Sequence, residues 1–159
     1  MAFRSEILIK LDKKGRVLLP AAFRDELPAD DRGAFVLYHS PTITGLVNGN
    51  SRAGFDSMLD RMRAEALGPK GALRVALDDD AFDPAGYLSA GARTVSLEPD
   101  GRFTMPGEFV EALDAADGVM LVGKVDKFQL WNPAHWQARR EAEREKMAAF
   151  VRNLGGGDA

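Results

Sequence analysis

One block of the chain occurs twice, and this duplication most constrains what the chain can fold into. Residues 11–27 (LDKKGRVLLPAAFRDEL) return as residues 97–113 (LEPDGRFTMPGEFVEAL) at a constant offset of 86. The matched pairs are Leu11/Leu97, Gly15/Gly101, Arg16/Arg102, Pro20/Pro106, Phe23/Phe109 and Leu27/Leu113. A chain that builds one unit twice can bury the apolar face of each copy against the other. We therefore expect two copies paired about a pseudo-two-fold axis.

Each copy of the repeat predicts a strand, a tight turn, a second strand and a short helix. In the first copy, apolar side chains alternate along residues 6–11, which favours a partly buried strand. Glycine accepts the positive φ that hairpin turns need, so Lys14-Gly15 and Asp100-Gly101 mark the turns. The returning strands are predicted at 17–19 and 103–105, and the helices at 21–27 and 107–113, each after a proline that suits the first helical position.

A second strand pair and a longer helix complete each half. The strand pairs are predicted at 35–38 with 43–47, and at 119–122 with 128–131. Apolar residues at helical spacing predict a helix over 55–66 that ends near Gly68-Pro69. Asn132-Pro133 begins a helix that runs to Asn153 or Leu154. Its end carries Met147, Phe150, Val151 and Leu154, an apolar surface suited to a subunit contact.

These elements divide the chain into three parts of one α+β protein. Residues 1–70 form the first repeat with its helix, and residues 93–159 form the second repeat with the long C-terminal helix. Residues 71–92 form a partly helical, acidic linker. Its cluster of aspartates between Asp78 and Asp83 is interpreted as linker or helix cap, because it lacks the glycine and terminal glutamate of a calcium loop.

Composition excludes several classes of chemistry. The chain has 159 residues and no cysteine, which excludes disulfides, thiolate nucleophiles and cysteine-ligated zinc. His39 and His135 have no spacing that suggests a metal site, so we expect no metal, no cofactor and no catalytic residues. A metal-assisted phosphate enzyme built on the acidic cluster is the weakest alternative. No apolar run is long enough to cross a membrane, and we expect a cytoplasmic protein with no membrane partner.

Charge is distributed unequally between the two copies. The net charge of −3 argues mildly against a nucleic-acid partner. However, residues 10–24 hold five basic side chains against Asp12 alone, whereas residues 96–110 hold Arg102 against three acidic side chains. The copies are predicted to share a shape but not an electrostatic potential. If a polyanion such as DNA binds, the first copy should supply most of the contact.

The repeated motif resembles that of the MraZ family, bacterial transcriptional regulators of the division and cell-wall gene cluster. The resemblance rests on the double motif, on Val119-Met-Leu-Val-Gly123 and on Lys127-Phe-Gln-Leu-Trp131, and it covers nearly the whole chain. It implies two AbrB-like swapped-hairpin repeats that form a pseudo-two-fold β-barrel core within one chain, flanked by helices. It also implies a homo-oligomeric ring, an octamer or a dodecamer, that binds short direct repeats in double-stranded DNA and associates with the nucleoid.

The family's hallmark is an Asp-x-x-x-Arg motif in each half. The first copy keeps it as Asp12 and Arg16, and the second has Glu98 with Arg102. The longer carboxylate and the acidic surroundings of Arg102 put a DNA role for the second copy in doubt. The predicted DNA-binding residues are Lys10, Lys13, Lys14, Arg16 and Arg24.

Each candidate residue also has a structural interpretation. Arg16 can contact phosphates or read guanine through two parallel hydrogen bonds, or its pair with Asp12 can simply close the turn. For Arg102 the structural role is favoured. Trp131 and Trp136 are predicted to be core residues. As an alternative function, the chain is an AbrB-fold antitoxin-like or scaffold module that acts through protein partners gripped by the C-terminal helix.

Overall fold

The computed structural model describes residues 2–31, 33–116 and 118–156. Within these residues the strands are β1 (Glu6–Lys10), β2 (Arg16–Leu18), β3 (Ala34–His39), β4 (Val47–Asn50), β5 (Arg93–Ser96), β6 (Arg102–Thr104), β7 (Gly118–Gly123) and β8 (Phe128–Trp131). The helices are α1 (Ala21–Arg24), α2 (Arg52–Ala66), α3 (Gly68–Leu77), α4 (Pro84–Gly91), α5 (Gly107–Leu113) and α6 (Pro133–Gly156), with a 3₁₀ turn at Ala29–Asp31.

The main sheet interleaves strands from the two halves. Its order is β1-β7-β8-β4-β3-β5, and every neighbouring pair is antiparallel. The first strand of each half pairs with a strand of the other half, since β1 pairs with β7 and β5 pairs with β3. Strands β4 and β8 join the halves at the centre of the sheet. Each half therefore contributes a strand that pairs with a strand of the other half.

A separate two-stranded ribbon forms where the repeated blocks meet. Strands β2 and β6 pair antiparallel, with Val17 opposite Phe103. The ribbon is extended at both ends by matching bonds: Leu19 N–H donates to the Gly101 carbonyl and Met105 N–H donates to the Gly15 carbonyl, each over 3.0 Å. The turn of each copy is thus bonded to the returning strand of the other copy.

The core lies between the sheet and the ribbon and is rich in phenylalanine. Phe35 packs edge-on against Phe103 with ring centroids 4.9 Å apart, and against Phe128 at 5.6 Å. Phe23 and Phe109 occupy equivalent repeat positions, and both are almost fully buried. Aromatic pairs in these geometries add to the stabilisation that burial provides. Both copies of the repeat therefore contribute to one continuous core.

Most of the predicted elements are confirmed, with two corrections. The first repeat helix ends at Arg24 instead of residue 27, because Glu26 and Leu27 donate to carbonyls three residues back and Leu27 precedes a proline, which disfavours helical geometry. The strand predicted at 43–47 is wrong except for Val47: the true strand, β4, is the polar sequence Val47–Asn50.

The shifted strand has a clear physical basis. The Ser40 hydroxyl accepts from Ile43 N–H at 3.1 Å and holds that segment in a loop. In β4, Asn48 accepts a hydrogen bond from Gln129 and Asn50 accepts one from the Tyr38 hydroxyl, so both buried amides are satisfied. Gly49 lies against the ring of Phe128 and leaves no room for a side chain. Polar residues therefore form a fully buried strand.

The segment between the halves contains regular structure. Helices α3 and α4 occupy most of residues 68–91, and Asp83 just before α4 pairs with Arg63 of α2 over 2.7 Å. Asp78, at the end of α3, is 3.7 Å from Arg74. The strand pairings of the described residues form an open sheet and a ribbon, and a closed barrel is not among them.

Candidate nucleic-acid interface

The first turn is a three-residue loop, Lys13-Lys14-Gly15, closed by Asp12 and Arg16. Gly15 N–H donates to the Asp12 carbonyl at 3.0 Å, and Asp12 N–H donates to the Arg16 carbonyl at 2.9 Å. Gly15 has a φ of +77°, the left-handed conformation that such loops place at their third residue. The predicted tight turn is confirmed. It presents two lysines at its tip.

The Asp12 carboxylate organises this turn. Its Oδ1 accepts hydrogen bonds from the N–H groups of Lys14 and Arg16, both over 2.8 Å, and its Oδ2 accepts one from Arg16 Nε over 2.9 Å. The bond from the Arg16 backbone N–H is the main reason that the pKa of Asp12 is lowered, and the Asp12 carboxylate in turn raises the pKa of Arg16. One carboxylate therefore closes the turn and also orients the guanidinium.

The second turn repeats the backbone of the first with different side-chain pairing. Gly101 N–H donates to the Glu98 carbonyl at 2.8 Å, and Gly101 has a φ of +86°. However, Arg102 pairs with Asp100 and not with Glu98: Asp100 Oδ2 lies 2.8 Å from Arg102 Nη1, and Asp100 Oδ1 accepts from Arg102 N–H at 3.0 Å. That backbone bond is the main cause of the lowered pKa of Asp100.

The sequence does not predict that Asp100 binds Arg102, because the repeat alignment pairs Arg102 with Glu98. A short aspartate side chain bonds readily to the backbone two residues further on, so the Asp-Gly-Arg order was the available signal. Glu98 instead extends toward the other copy, where its Oε2 lies 3.8 Å from Arg16 Nη1. The acidic residue of the second motif thus contacts the arginine of the first.

The ribbon brings both arginines onto one exposed face. Arg16 lies opposite Thr104, and Leu18 lies opposite Arg102. These four side chains are exposed or half-buried, whereas the alternating partners Val17 and Phe103 are buried. The two arginines belong to adjacent strands and are two residues apart along the ribbon, about 7 Å. We call the surface formed by Arg16, Leu18, Arg102 and Thr104 the ribbon face.

Two of the predicted lysines, Lys13 and Lys14, flank the ribbon face at the end where Arg16 lies. Lys13 and Lys14 form the tip of the first turn, Lys10 ends β1, and all three are exposed. Within the described part of the chain, no ion pair joins them to a carboxylate. Arg24 is placed elsewhere: it is half-buried and lies against Gly101 of the second turn. The structure therefore groups Lys13 and Lys14 with Arg16, leaves Lys10 at the end of β1, and places Arg24 against the second turn.

The remaining candidates occupy structural positions. Trp131 and Trp136 are 5% and 2% exposed, which confirms them as core residues, and Trp131 donates to Gln129 at 2.9 Å. His39 packs against the ring of Phe109 at 4.7 Å. Among the residues that the structure describes, no group of three or more potential ligands could hold a metal ion. None of the helices in that part of the chain has the length and apolarity to cross a membrane.

Comparison with known proteins connects this geometry to a family. The family model described as "MraZ protein, putative antitoxin-like" matches residues 88–154. The chain is 30% identical over 146 residues to the transcriptional regulator MraZ of Shewanella violacea. This alignment covers 90% of the chain and 88% of the relative. It is 29% identical over 157 residues to the transcriptional regulator MraZ of Azorhizobium caulinodans, over 98% of this chain and 92% of the relative. The chain belongs to the MraZ family of transcriptional regulators.

Proposed function

We propose that this chain is a sequence-specific DNA-binding regulator that contacts double-stranded DNA through the ribbon face and the lysines beside it. The observation that carries the proposal is the Arg16 guanidinium, held by Asp12 on the exposed ribbon face with Lys13 and Lys14 at its end. Relatives along nearly the whole chain are named transcriptional regulators, and DNA is the common target of that class.

The geometry of Arg16 suits recognition of a base or a phosphate. Its Nε is held by Asp12 at 2.9 Å, and its nearest other carboxylate oxygen, on Glu98, is 3.8 Å from Nη1. The guanidinium therefore keeps a fixed direction and still has N–H groups available for a ligand. A bidentate arginine to a guanine edge provides about 1–3 kcal/mol of discrimination.

The lysines supply sequence-independent affinity. Lys10, Lys13 and Lys14 are exposed and lie outside any ion pair of the described residues, so they are available to phosphates. Each phosphate neutralised lowers the slope of log affinity against log salt by about 0.9. Lys13→Ala/Lys14→Ala should therefore make the slope shallower by about 1.8 if both lysines contact phosphates.

The proposal is tested by fluorescence anisotropy on labelled duplexes from upstream of the chain's own gene. A scrambled duplex of the same composition is the control for specificity. Arg16→Ala should reduce specific affinity by about 10- to 100-fold, and Arg102→Ala by much less, because Arg102 is held by Asp100 in acidic surroundings. Equal losses from both variants, with unchanged circular dichroism, would reject the dominant role of the first turn. No preference for the native duplex by the wild-type chain would reject sequence-specific binding.

Self-association is a further part of the proposal. The end of α6 exposes four large apolar side chains, each between 53% and 65% accessible: Met147, Phe150, Val151 and Leu154. Contiguous exposed apolar surface of this kind marks interaction sites. We propose that copies assemble through it into a homo-oligomeric ring, an octamer or a dodecamer as the family resemblance implies. Simultaneous contacts with short direct repeats would then add about 10²- to 10⁴-fold in avidity.

The association is measured by light scattering during size-exclusion chromatography. Phe150→Glu should reduce the oligomer to a smaller species and weaken binding to a duplex with several repeats. Binding to a single repeat should stay unchanged. A wild-type chain that elutes as a monomer at micromolar concentration would refute the ring.

We also propose a specific architecture and setting for this regulator. The exchange of β1 and β5 between the halves supports two AbrB-like swapped-hairpin units, one from residues 1–70 and one from residues 93–159, joined by residues 71–92. The DNA target that the family resemblance implies lies upstream of the division and cell-wall gene cluster, in the nucleoid of the cytoplasm.

A second candidate function is binding to a protein partner in the manner of an antitoxin. The apolar end of α6 supports it, and the matching family model includes "antitoxin-like" in its description. In this case Phe150→Glu should abolish capture of the partner and leave both the oligomeric state and DNA binding unchanged. Loss of the oligomer in the same variant would favour self-association instead.

A further inference from the structure

The two turns differ in what covers them, and the difference comes from one side chain. A Cβ built on Gly101 would meet Arg24 at 2.7 Å from Cζ and 3.1 Å from Cδ, whereas a Cβ built on Gly15 meets nothing within 4 Å. Both glycines have a positive φ and close equivalent loops. The second turn is therefore packed beneath a side chain, and the first turn is open.

The residue at the equivalent position of the second copy explains the asymmetry. Position 24 corresponds to position 110 at the repeat offset, and Val110 is a partly buried side chain packed against the core. A valine is too short to extend over the opposite turn as an arginine does. Of the two equivalent positions, only position 24 thus carries a side chain long enough to reach the turn of the other copy.

Arg24 is committed to this position by packing instead of by an ion pair. Among the residues that the structure describes, its buried Nε has no hydrogen-bond partner, and no carboxylate lies within 4.0 Å of its guanidinium. The side chain lines a cavity of about 470 Å³ together with Asp25, Glu98 and Gly101. The bond from Leu19 N–H to the Gly101 carbonyl fixes the strand that leads into α1 against the same turn.

We infer that Arg24 is a positioning residue that connects the two repeats: it packs over Gly101 and holds the turn that carries Asp100 and Arg102. The effect of Arg24 on DNA binding depends on the proposed function, whereas its role in holding the second turn does not. Arg24 then acts on DNA binding through the second turn and not by contacting a phosphate itself. A long side chain at position 24 is sufficient, and its charge is not required.

Hydrogen exchange of the free protein tests the structural part. Arg24→Ala should speed exchange of the amides in residues 98–102 by about tenfold or more, and exchange in the matched segment 12–16 should not change. Arg24→Met, which keeps a long apolar stem, should retain most of the protection. Unchanged exchange in residues 98–102 of Arg24→Ala, or equal acceleration in both turns, would overturn the inference.

DNA binding separates positioning from direct contact. Arg24→Met should keep the wild-type salt slope and an affinity within about threefold of wild type, whereas a lost phosphate contact would make the slope shallower by about 0.9. A shallower slope and equal affinity losses in Arg24→Met and Arg24→Ala would assign Arg24 to the phosphates and overturn the inference. If the wild-type chain binds no DNA but the exchange result holds, the proposed function fails and the positioning role stands.

Discussion

The turns at residues 12–16 and 98–102 have the same backbone conformation, but basic side chains surround the first and acidic side chains surround the second. In both, the glycine donates to the carbonyl three residues earlier and adopts a positive φ. The first turn carries two lysines that form no ion pair with any described residue, and an arginine oriented by Asp12. The second turn carries Asp100, which pairs with Arg102 of the same turn. Backbone geometry is kept by the duplicated glycine and the strand pairing, while exposed side chains are free to diverge. A repeated fold can therefore present two different sets of charged side chains on the same surface.

The largest expected effect concerns the core, where the two copies should be equivalent. Phe23→Ala and Phe109→Ala each remove a nearly fully buried ring and should lower the free energy of unfolding by about 3–5 kcal/mol. Urea denaturation followed by circular dichroism measures both. A loss below about 1 kcal/mol in either variant would contradict a core shared equally by the halves.

The next effect separates orientation from net charge. Asp12→Ala makes the first turn more basic. It also removes the carboxylate that accepts hydrogen bonds from Arg16 Nε and from the backbone N–H groups of Lys14 and Arg16. We expect about tenfold weaker specific DNA binding, because a freely rotating arginine loses its fixed direction. Asp100→Ala is the matched control and should change affinity by less than about threefold. Tighter specific binding by Asp12→Ala would show that charge alone governs the surface.

A graft of the first turn onto the second should reduce the asymmetry. Pro99→Lys/Asp100→Lys gives the second turn the loop sequence of the first. The salt slope should become steeper by about 0.9 for each new phosphate contact. An unchanged slope, with folding intact, would place the second turn away from the DNA.

The fold was largely predictable from sequence because the repeat fixes its own spacing. The alternation of apolar residues located β1, and the glycines located both turns. The polar strand β4 was not predictable, since the partner of Asn48 is Gln129, which is 81 residues away in the sequence. Hydrophobic periodicity predicts strands whose apolar side chains are buried. It does not predict a strand whose buried amide side chains form hydrogen bonds with other buried side chains.

The candidate site was predictable in part for a related reason. The pairing of Asp12 with Arg16 is local and follows from their spacing. The contact of Glu98 with Arg16 and the position of Arg24 over Gly101 join different copies, so they depend on how the halves dock. Local charge counting assigned Arg24 to the first turn, whereas the fold places it on the second.

The smallest expected effect is the change with pH in the stability that Asp12 and Asp100 contribute to the folded chain. Both Asp12 and Asp100 have a pKa lowered in the folded chain by backbone N–H bonds from Arg16 and Arg102. A depressed folded pKa contributes stability that is present above the unfolded value, near 3.9, and is lost as the pH falls through the folded pKa. NMR titration of the carboxyl carbons should give midpoints below 3.8 for both residues. A midpoint at or above that value would contradict the bonding described for that turn.

The most direct test of the central claim is a structure of the chain bound to a promoter duplex. We predict that the ribbon face meets the DNA, with an Arg16 guanidinium N–H within hydrogen-bond distance of a base edge or phosphate and with Lys13 and Lys14 along the backbone. A complex in which Arg16, Lys13 and Lys14 are enclosed in a contact between subunits, with the duplex bound elsewhere, would contradict the account.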